Sequence, residues 1–334
     1  MPTISIITTV YDAKDFLPRT VQSILAQTFT DFELILVEDG SPNGCGELCD
    51  QLALTDPRIR VVHKPNGGPA SASNAGLDAA RGQYIGFVDS DDLIEPDLYQ
   101  RLYDALVQNH CDLAACAAQG MDEDDRPLPI TVQCSLQGKQ DALDLFYDIF
   151  QTGSMYGMLC WNKLFRAELF AQIRFDEQMF FGDDASILHR VYDGRTVYCL
   201  SDPLYHYRTR SGSITAQLFS ARQLDDLTMY WDWVQFFASR PDRADLYQWS
   251  VARYWQVFYI FYVHACQAGA LKDPAVQQGF AFHKQHLDQL LPRIQACPHL
   301  PSFEKLRARL FCLSPALCYR LACAWGRLHG KEDA

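Results

Sequence analysis

The sequence predicts an α/β protein: a mainly parallel sheet followed by a helical C-terminal region. Two patterns carry this expectation. Through about residue 98, apolar runs of strand length alternate with stretches of helical period, as in right-handed crossovers that cover both faces of a parallel sheet. From about residue 220 the period is helical and aromatic-rich almost to the end, so one domain is expected over 1–219 and a helical region over 220–334. At 334 residues, 48% hydrophobic and 21% charged, the chain can bury one large core or two. A net charge of −12 argues against nucleic acid as the main partner, because such proteins carry a basic footprint.

The first strand is expected over 4–10, an apolar run ending in Thr8-Thr9-Val10-Tyr11-Asp12. A helix follows, with Phe16, Leu17, Thr20, Val21, Ile24 and Leu25 on one face; Pro18 is tolerated there because the first turn does not use its missing N–H. Residues 32–37 form the second strand, closed by the turn Glu38-Asp39-Gly40-Ser41-Pro42, and a weaker helix occupies 46–54. The third strand, 59–62, leads into the loop Asn66-Gly67-Gly68-Pro69 and a helix to Ala80. The fourth, 84–88, is a short β-branched and aromatic run that ends in Asp89-Ser90-Asp91-Asp92. Pro96 in a first turn and Leu98, Leu102 and Leu106 on one face signal the next helix. A strand is expected over 111–118, an acidic loop over 120–129, and short apolar pieces at 196–200 and 204–207.

Met1-Pro2-Thr3 leads into the first strand without a basic leader, and the apolar stretch 254–265 is interrupted by Gln256 and His264. It falls short of the ~20 residues a spanning helix needs. A cytoplasmic location is expected. The twelve cysteines include no Cys-x-x-Cys and lie mostly among apolar residues, which reads as buried thiols, not disulfides or zinc.

The chemistry is concentrated at two acidic strand ends, Glu38-Asp39 and Asp89-Ser90-Asp91-Asp92. Open α/β sheets bind ligands outside the carboxyl ends of their strands. Three carboxylates in four residues repel one another, and a divalent cation is the simplest remedy. Between Asn66 and Glu95 the only cationic side chain is Arg81, so a bound nucleoside diphosphate would need a metal for positive charge. Neither a P-loop nor G-x-G-x-x-G follows the first strand. Asp39 can accept from a base and Asp91 can hold a metal; Asp91 or Asp92 capping the next helix is the plain structural alternative.

The blocks Ile6-Ile7-Thr8-Thr9-Val10-Tyr11-Asp12, Leu36-Val37-Glu38-Asp39-Gly40-Ser41, Asn66-Gly67-Gly68-Pro69-Ala70-Ser71-Ala72-Ser73-Asn74-Ala75-Gly76 and Phe87-Val88-Asp89-Ser90-Asp91-Asp92 resemble, in order, glycosyltransferase family 2. Trp161-Asn162-Lys163-Leu164-Phe165, Gly182-Asp183-Asp184 and Tyr205-His206-Tyr207-Arg208 resemble motifs of its bacterial members, extending the resemblance over about 3–215. The resemblance implies a glycosyltransferase A-type fold with a nucleotide-binding sheet, and an inverting, metal-dependent transfer from a nucleotide-sugar. In its terms Asp39 contacts the base, Asp89 lies near the ribose or sugar, and Asp91, with Asp89, ligates Mn²⁺ or Mg²⁺. Asp184 is the implied catalytic base. Thr9, Tyr11, Asp12, Asn66, Gly67, Asn74 and Ser90 would line the donor site, and Arg208, Arg210 and Ser213 fall where the diphosphate can be reached. Trp161 and Asn162 either shape the acceptor site or belong to the core.

The implied donor is a UDP-sugar and the acceptor a glycan or lipid-linked saccharide, in surface polysaccharide assembly. There are departures from the family pattern. Glu38 replaces the usual Asp, Asp183 the usual Glu, and Ser73 an Arg, which removes a cation from the donor pocket. Two other readings stay open on the sequence: a sugar-phosphate nucleotidyltransferase, for which Lys14 is the sole cation after the first strand, and a binding module without catalysis.

His206 is read as a hydrogen-bonded structural residue, and His283 and His286, at helical spacing, as a solvated face. The tail over 303–328 carries Lys305, Arg307, Arg309, Arg320 and Arg327 among leucines and aromatics, against Glu304 alone. Either these are basic amphipathic helices lying on an anionic membrane, at the inner face of the cell membrane, or an ordinary helical pair snorkelling its arginines.

Overall fold

The computed structural model describes residues 1–210 and 219–328. The chain divides into two compact units, Met1–Ala216 and Gln217–Ala334. In the first unit β1 (Ile4–Val10), α1 (Leu17–Leu25), β2 (Phe32–Glu38), α2 (Cys45–Ala53), β3 (Ile59–His63), α3 (Pro69–Ala79) and β4 (Tyr84–Phe87) alternate as the apolar periodicity predicts. All seven residues of β2 are buried, as befits a strand covered on both faces. The buried face of α1 is Leu17, Thr20, Val21 and Ile24, four of the six positions expected there.

β1 lies between β2 and β4, parallel to both, and the register sets Val10 beside Glu38 and Ile7 beside Phe87. The carboxyl ends of three strands therefore come together, and the acidic turns that follow them share one edge. Close packing fixes Gly86 in β4, where a Cβ would stand 2.5 Å from the Tyr99 ring.

Beyond β4 the sheet changes character. It continues with β5 (Leu93–Ile94), α4 (Leu98–Gln108), β6 (Leu113–Met121), β7 (Pro127–Val132), β8 (Gly138–Asp141), α5 (Leu145–Thr152), β9 (Lys163–Arg166), α6 (Asp183–Tyr192) and β10 (Thr196–Arg208). The strand order is β3-β2-β1-β4-β9-β6-β10-β5, with β9 antiparallel to both β4 and β6. The loop expected over 120–129 is the tip of a β6–β7 hairpin, turned by Asp122, whose Oδ1 accepts from the amides of Asp124 and Arg126 at 2.9 and 2.8 Å. The two apolar pieces at 196–200 and 204–207 are one strand. Its ladder to β6 slips on either side of Pro203, which lacks the N–H a regular ladder needs.

The second unit holds α7 (Asp225–Ala238), α8 (Ala244–Gln267), α9 (Pro274–Ala296), α10 (Ser302–Leu313) and α11 (Pro315–Leu328). Its core is aromatic: Trp233, Phe237, Tyr254, Trp255, Phe258 and Phe311 are almost wholly buried. Trp255 Nε1 donates to Glu304 Oε2 at 2.9 Å, which satisfies the indole where it meets α10. The expectation of a solvated His283/His286 face is corrected here. His283 is 2% exposed, with Tyr254 Oη 3.2 Å from Nδ1, and His286 stacks on Trp231 at 4.1 Å. Helical spacing alone did not reveal that α7 supplies a ring to His286 and α8 a hydroxyl to His283. Among the described residues, no helix is long and apolar enough to cross a membrane.

Candidate active site

The turn after β2 is built around two carboxylates. Burial pushes the Glu38 carboxyl up, but hydrogen bonds from Ser41 outweigh it and hold the group below the usual range. Asp39, 2% exposed, accepts from Lys64 Nζ at 2.5 Å and from the amides of Gly67 and Gly68 at 3.0 and 2.9 Å. It therefore clamps the loop that opens α3. Gly40 must be glycine: its φ is +67°, and a Cβ would lie 2.7 Å from the Asn66 nitrogen. After β1, Thr9 is half-buried, Tyr11 and Asp12 are exposed, and Asp12 Oδ1 accepts from Asn43 Nδ2 at 2.7 Å. Phe16 and Lys14 join Asp12, Asn43 and Arg210 in lining a cleft of about 290 Å³.

The turn after β4 is held from β10. Tyr205 Oη donates to Asp92 Oδ2 at 2.7 Å and accepts from the Asp89 amide at 3.0 Å. The Arg208 amide donates to Asp92 Oδ1 at 2.7 Å, and Thr20 Oγ1 to the Ser90 carbonyl at 3.0 Å. Asp92 is fully buried and both its oxygens are used; burial and then the charge of Asp91 push its carboxyl well up, against the pull of the Arg208 amide and the Tyr205 hydroxyl. Asp92 is thus the fixture of the turn, and the half-buried Asp89 and Asp91 are the acids it presents. Asp91 Oδ2 pairs with Arg210 Nε at 2.6 Å. Asp91 does not cap the following helix, whose N-cap residue is Asp97.

The third acidic stretch opens α6. Asp184 Oδ2 accepts from the Cys160 amide at 2.8 Å. Burial raises the Asp184 carboxyl, against the pull of that amide and of Lys163. Asp183 is pushed up to about 8 by burial and by the charge of Asp184. Burial raises Asp89 too, and after it the charges of Asp92, Asp91, Asp184 and Asp183. Acids far apart in the chain thus share one field. Its cost is lowered by protonation or by a cation. Among the described residues, no three His, Cys, Asp or Glu side chains are gathered to hold an ion unaided.

Several residues singled out in the sequence are tied to the scaffold. Asn162 is fully buried and donates to the Cys116 carbonyl at 2.9 Å, in line with the core alternative. Asn74 is spent on the Phe175 backbone, at 3.0 Å in each direction, and on Glu177 Oε1 at 3.1 Å. The Arg208 side chain has no exposed surface and reaches the carbonyls of Asp91, Asp122 and Glu123, so it cross-links the turn to the β6–β7 hairpin. Asn66 and Gly67 are exposed at the loop, Ser90 is buried, Ser73 is buried on α3, and Ser213 lies outside the described residues.

Trp161, 6% exposed, stacks on Tyr205 at 4.2 Å and on Tyr207 at 5.8 Å. His206, on the opposite face of β10, meets Glu95 Oε1 at 2.7 Å, the structural role expected of it. Two residues were missed. Tyr205 was signalled only by the Tyr-x-Tyr alternation. Lys163 is buried with its Nζ on the carbonyls of Tyr156 and Leu159 at 2.6 and 2.5 Å, and burial lowers its pKa to about 8.

A sheet whose first strands end in acidic turns, continued by an antiparallel strand and a helix opening on two further acids, has the architecture of A-type glycosyltransferases. S. aureus TarS in complex with UDP-GlcNAc superposes with a TM-score of 0.59 at 16% identity, over 85% of this chain and 92% of that one. The mannosyltransferase PcManGT of Pyrobaculum calidifontis, in complex with GDP-Man and Mn²⁺, gives 0.54 at 16% identity, over 94% and 88%.

The chain belongs to glycosyltransferase family 2: the model of "Glycosyl transferase family 2" matches residues 5–182. It is 36% identical over 220 residues to "Uncharacterized glycosyltransferase EpsJ" of Bacillus subtilis (strain 168), covering 64% of this chain and 63% of the length of that relative.

Proposed function

We propose that this glycosyltransferase moves one sugar, with inversion, from a UDP-sugar to a hydroxyl of a glycan or lipid-linked saccharide in surface polysaccharide assembly. The observation that carries the reading is the convergence of Asp89, Asp91, Asp183 and Asp184 in one field, with Asp184 aimed by the Cys160 amide. The UDP-GlcNAc complex of TarS supports the choice of nucleotide, and the Mn²⁺ in PcManGT supports a divalent ion.

The residues fit such an ion without an all-protein cage, because Mg²⁺-type sites take one or two carboxylates and complete their shell with phosphate oxygens and water. Asp91 and Asp89 are the carboxylates that would hold it. When bound, the ion supplies Lewis-acid stabilisation to charge developing on the departing nucleoside diphosphate. Asp39 has three of roughly four acceptor directions filled, which leaves one for a base N–H. Tyr11, exposed beside it in the chain's first turn, offers a ring for the base. With Ser73 in place of the usual cation, Arg210 and Lys14 are the cations that line the cleft.

Asp184 takes the acceptor's hydroxyl proton as the new bond to the anomeric carbon forms and the bond to the diphosphate oxygen breaks. Its raised pKa makes it a stronger base than a free carboxylate. One displacement suffices, and no covalent enzyme intermediate is required. A screen of nucleotide-sugars with Mn²⁺ tests the reading: release of UDP from one donor supports it. Release of pyrophosphate points to nucleotidyl transfer, and binding without turnover to a module without catalysis.

A further inference from the structure

We propose that the outer face of α10 and α11 docks on an anionic lipid surface. The inner face of α10 is fully used: Phe311 meets Trp255 at 5.6 Å and Tyr262 at 4.9 Å, and Ala308 is wholly buried. The outer face has no such cover. Phe303, Leu306 and Leu313 are 61%, 58% and 84% exposed, and at spacings of three and seven residues they stand on one side of the helix. On α11 Leu317 and Leu321, four residues apart, are 51% and 50% exposed.

The charged side chains that flank the exposed leucines are basic, and of them Arg307 is paired with Glu304. At 100° per residue, Arg309 stands on one flank of the Phe303–Leu306–Leu313 stripe and Arg307 on the other; Arg320 flanks Leu317 and Leu321. The acid on these helices, Glu304, is turned inward to Trp255 and to Arg307 Nη1 at 2.7 Å. The Arg307 guanidinium lies over the rings of Tyr259 and Phe303 at 4.8 and 5.4 Å, stretched along the apolar surface. An apolar stripe with basic flanks is the profile of a helix lying in a lipid interface.

The occupant is chosen by charge. A second copy would meet this face with the same face, setting arginines against arginines, because two-fold contacts are self-complementary. An anionic bilayer supplies the missing negative charge and accepts the leucines together. The remainder of the protein, in a chain of net charge −12, is repelled by such a bilayer, so the basic face also fixes which side approaches.

Sedimentation of the full chain with vesicles tests this, using phosphatidylcholine alone and equal parts phosphatidylcholine and phosphatidylglycerol. The chain should pellet with the second and not the first. Arg309→Gln with Arg320→Gln should lower the partition coefficient about fivefold for each cation lost. Leu313→Ser with Leu317→Ser should abolish binding; both positions are at least half exposed, so circular dichroism and donor hydrolysis should be unchanged. Absence of binding to anionic vesicles overturns the proposal, as does binding that neither double variant weakens. A concentration-dependent dimer that Leu313→Ser dissociates, without vesicle binding, assigns the face to a second copy and overturns it equally.

Discussion

Asp184→Asn separates chemistry from architecture at the proposed base. The amide has the shape of the carboxylate, and its Oδ1 can still accept the Cys160 amide now held at 2.8 Å. The structural cost is the difference between a charged and a neutral acceptor, about 1 kcal/mol. Against this, removing one buried charge relieves Asp183, whose pKa stands at about 8 partly because of Asp184. Stability should therefore change little. Catalysis should not be spared: a positioned general base contributes about 10²–10⁴-fold, or roughly 2.7–5.4 kcal/mol of barrier. The assay is steady-state UDP release with acceptor present, beside donor titration and thermal unfolding of the same preparation. Turnover should collapse with donor affinity and unfolding temperature near those of the parent. Unchanged turnover would remove Asp184 from the role, whatever else the variant did.

Two further outcomes follow from side chains already placed. Arg210 pairs with Asp91, at a contact that is part exposed and worth up to about 1 kcal/mol. Arg210→Ala should raise Mn²⁺ affinity without donor by up to about fivefold while weakening UDP binding, both read by calorimetry; weaker Mn²⁺ binding without donor would contradict the competition. Burial lowers His283 from 6.5 to about 4, so the unfolded chain binds more protons than the folded one between those values, and stability falls as pH drops through that window. On the order of 2 kcal/mol should be lost by about pH 5, seen in urea titrations followed through Trp233 and Trp255, and His283→Gln should flatten that dependence. An equally steep profile in the variant would place the titration elsewhere.

β1 to β4 were legible because each is a bounded apolar run that needs no partner to be recognised, and the acids at their ends stand out against it. What those acids do was legible only in part. Asp91 and Asp92 are indistinguishable as letters, yet Tyr205 and the Arg208 amide hold one in the interior and leave the other half-buried, paired with Arg210. Asn74 and Asn162 carry motif positions but spend their amides on the backbone of distant segments. β9 was hidden because it begins on a lysine, and a buried lysine is tolerated there only where three oxygens converge on its Nζ. The misses at Asp92, Asn74 and Asn162 belong to contacts between segments far apart in the chain, whereas that at Lys163 belongs to the fold of the loop just before it.

The central claim is that Asp91, beside Asp89, holds a cation that receives the donor's diphosphate. Calorimetric titration of the preferred UDP-sugar, with and without Mn²⁺, in the parent chain and in Asp91→Ala, tests it most directly. The account predicts donor binding that requires Mn²⁺ in the parent and loses that requirement, with most of its affinity, in the variant. Equal donor affinity with and without the ion in the parent, or intact Mn²⁺-dependent binding in Asp91→Ala, would contradict it.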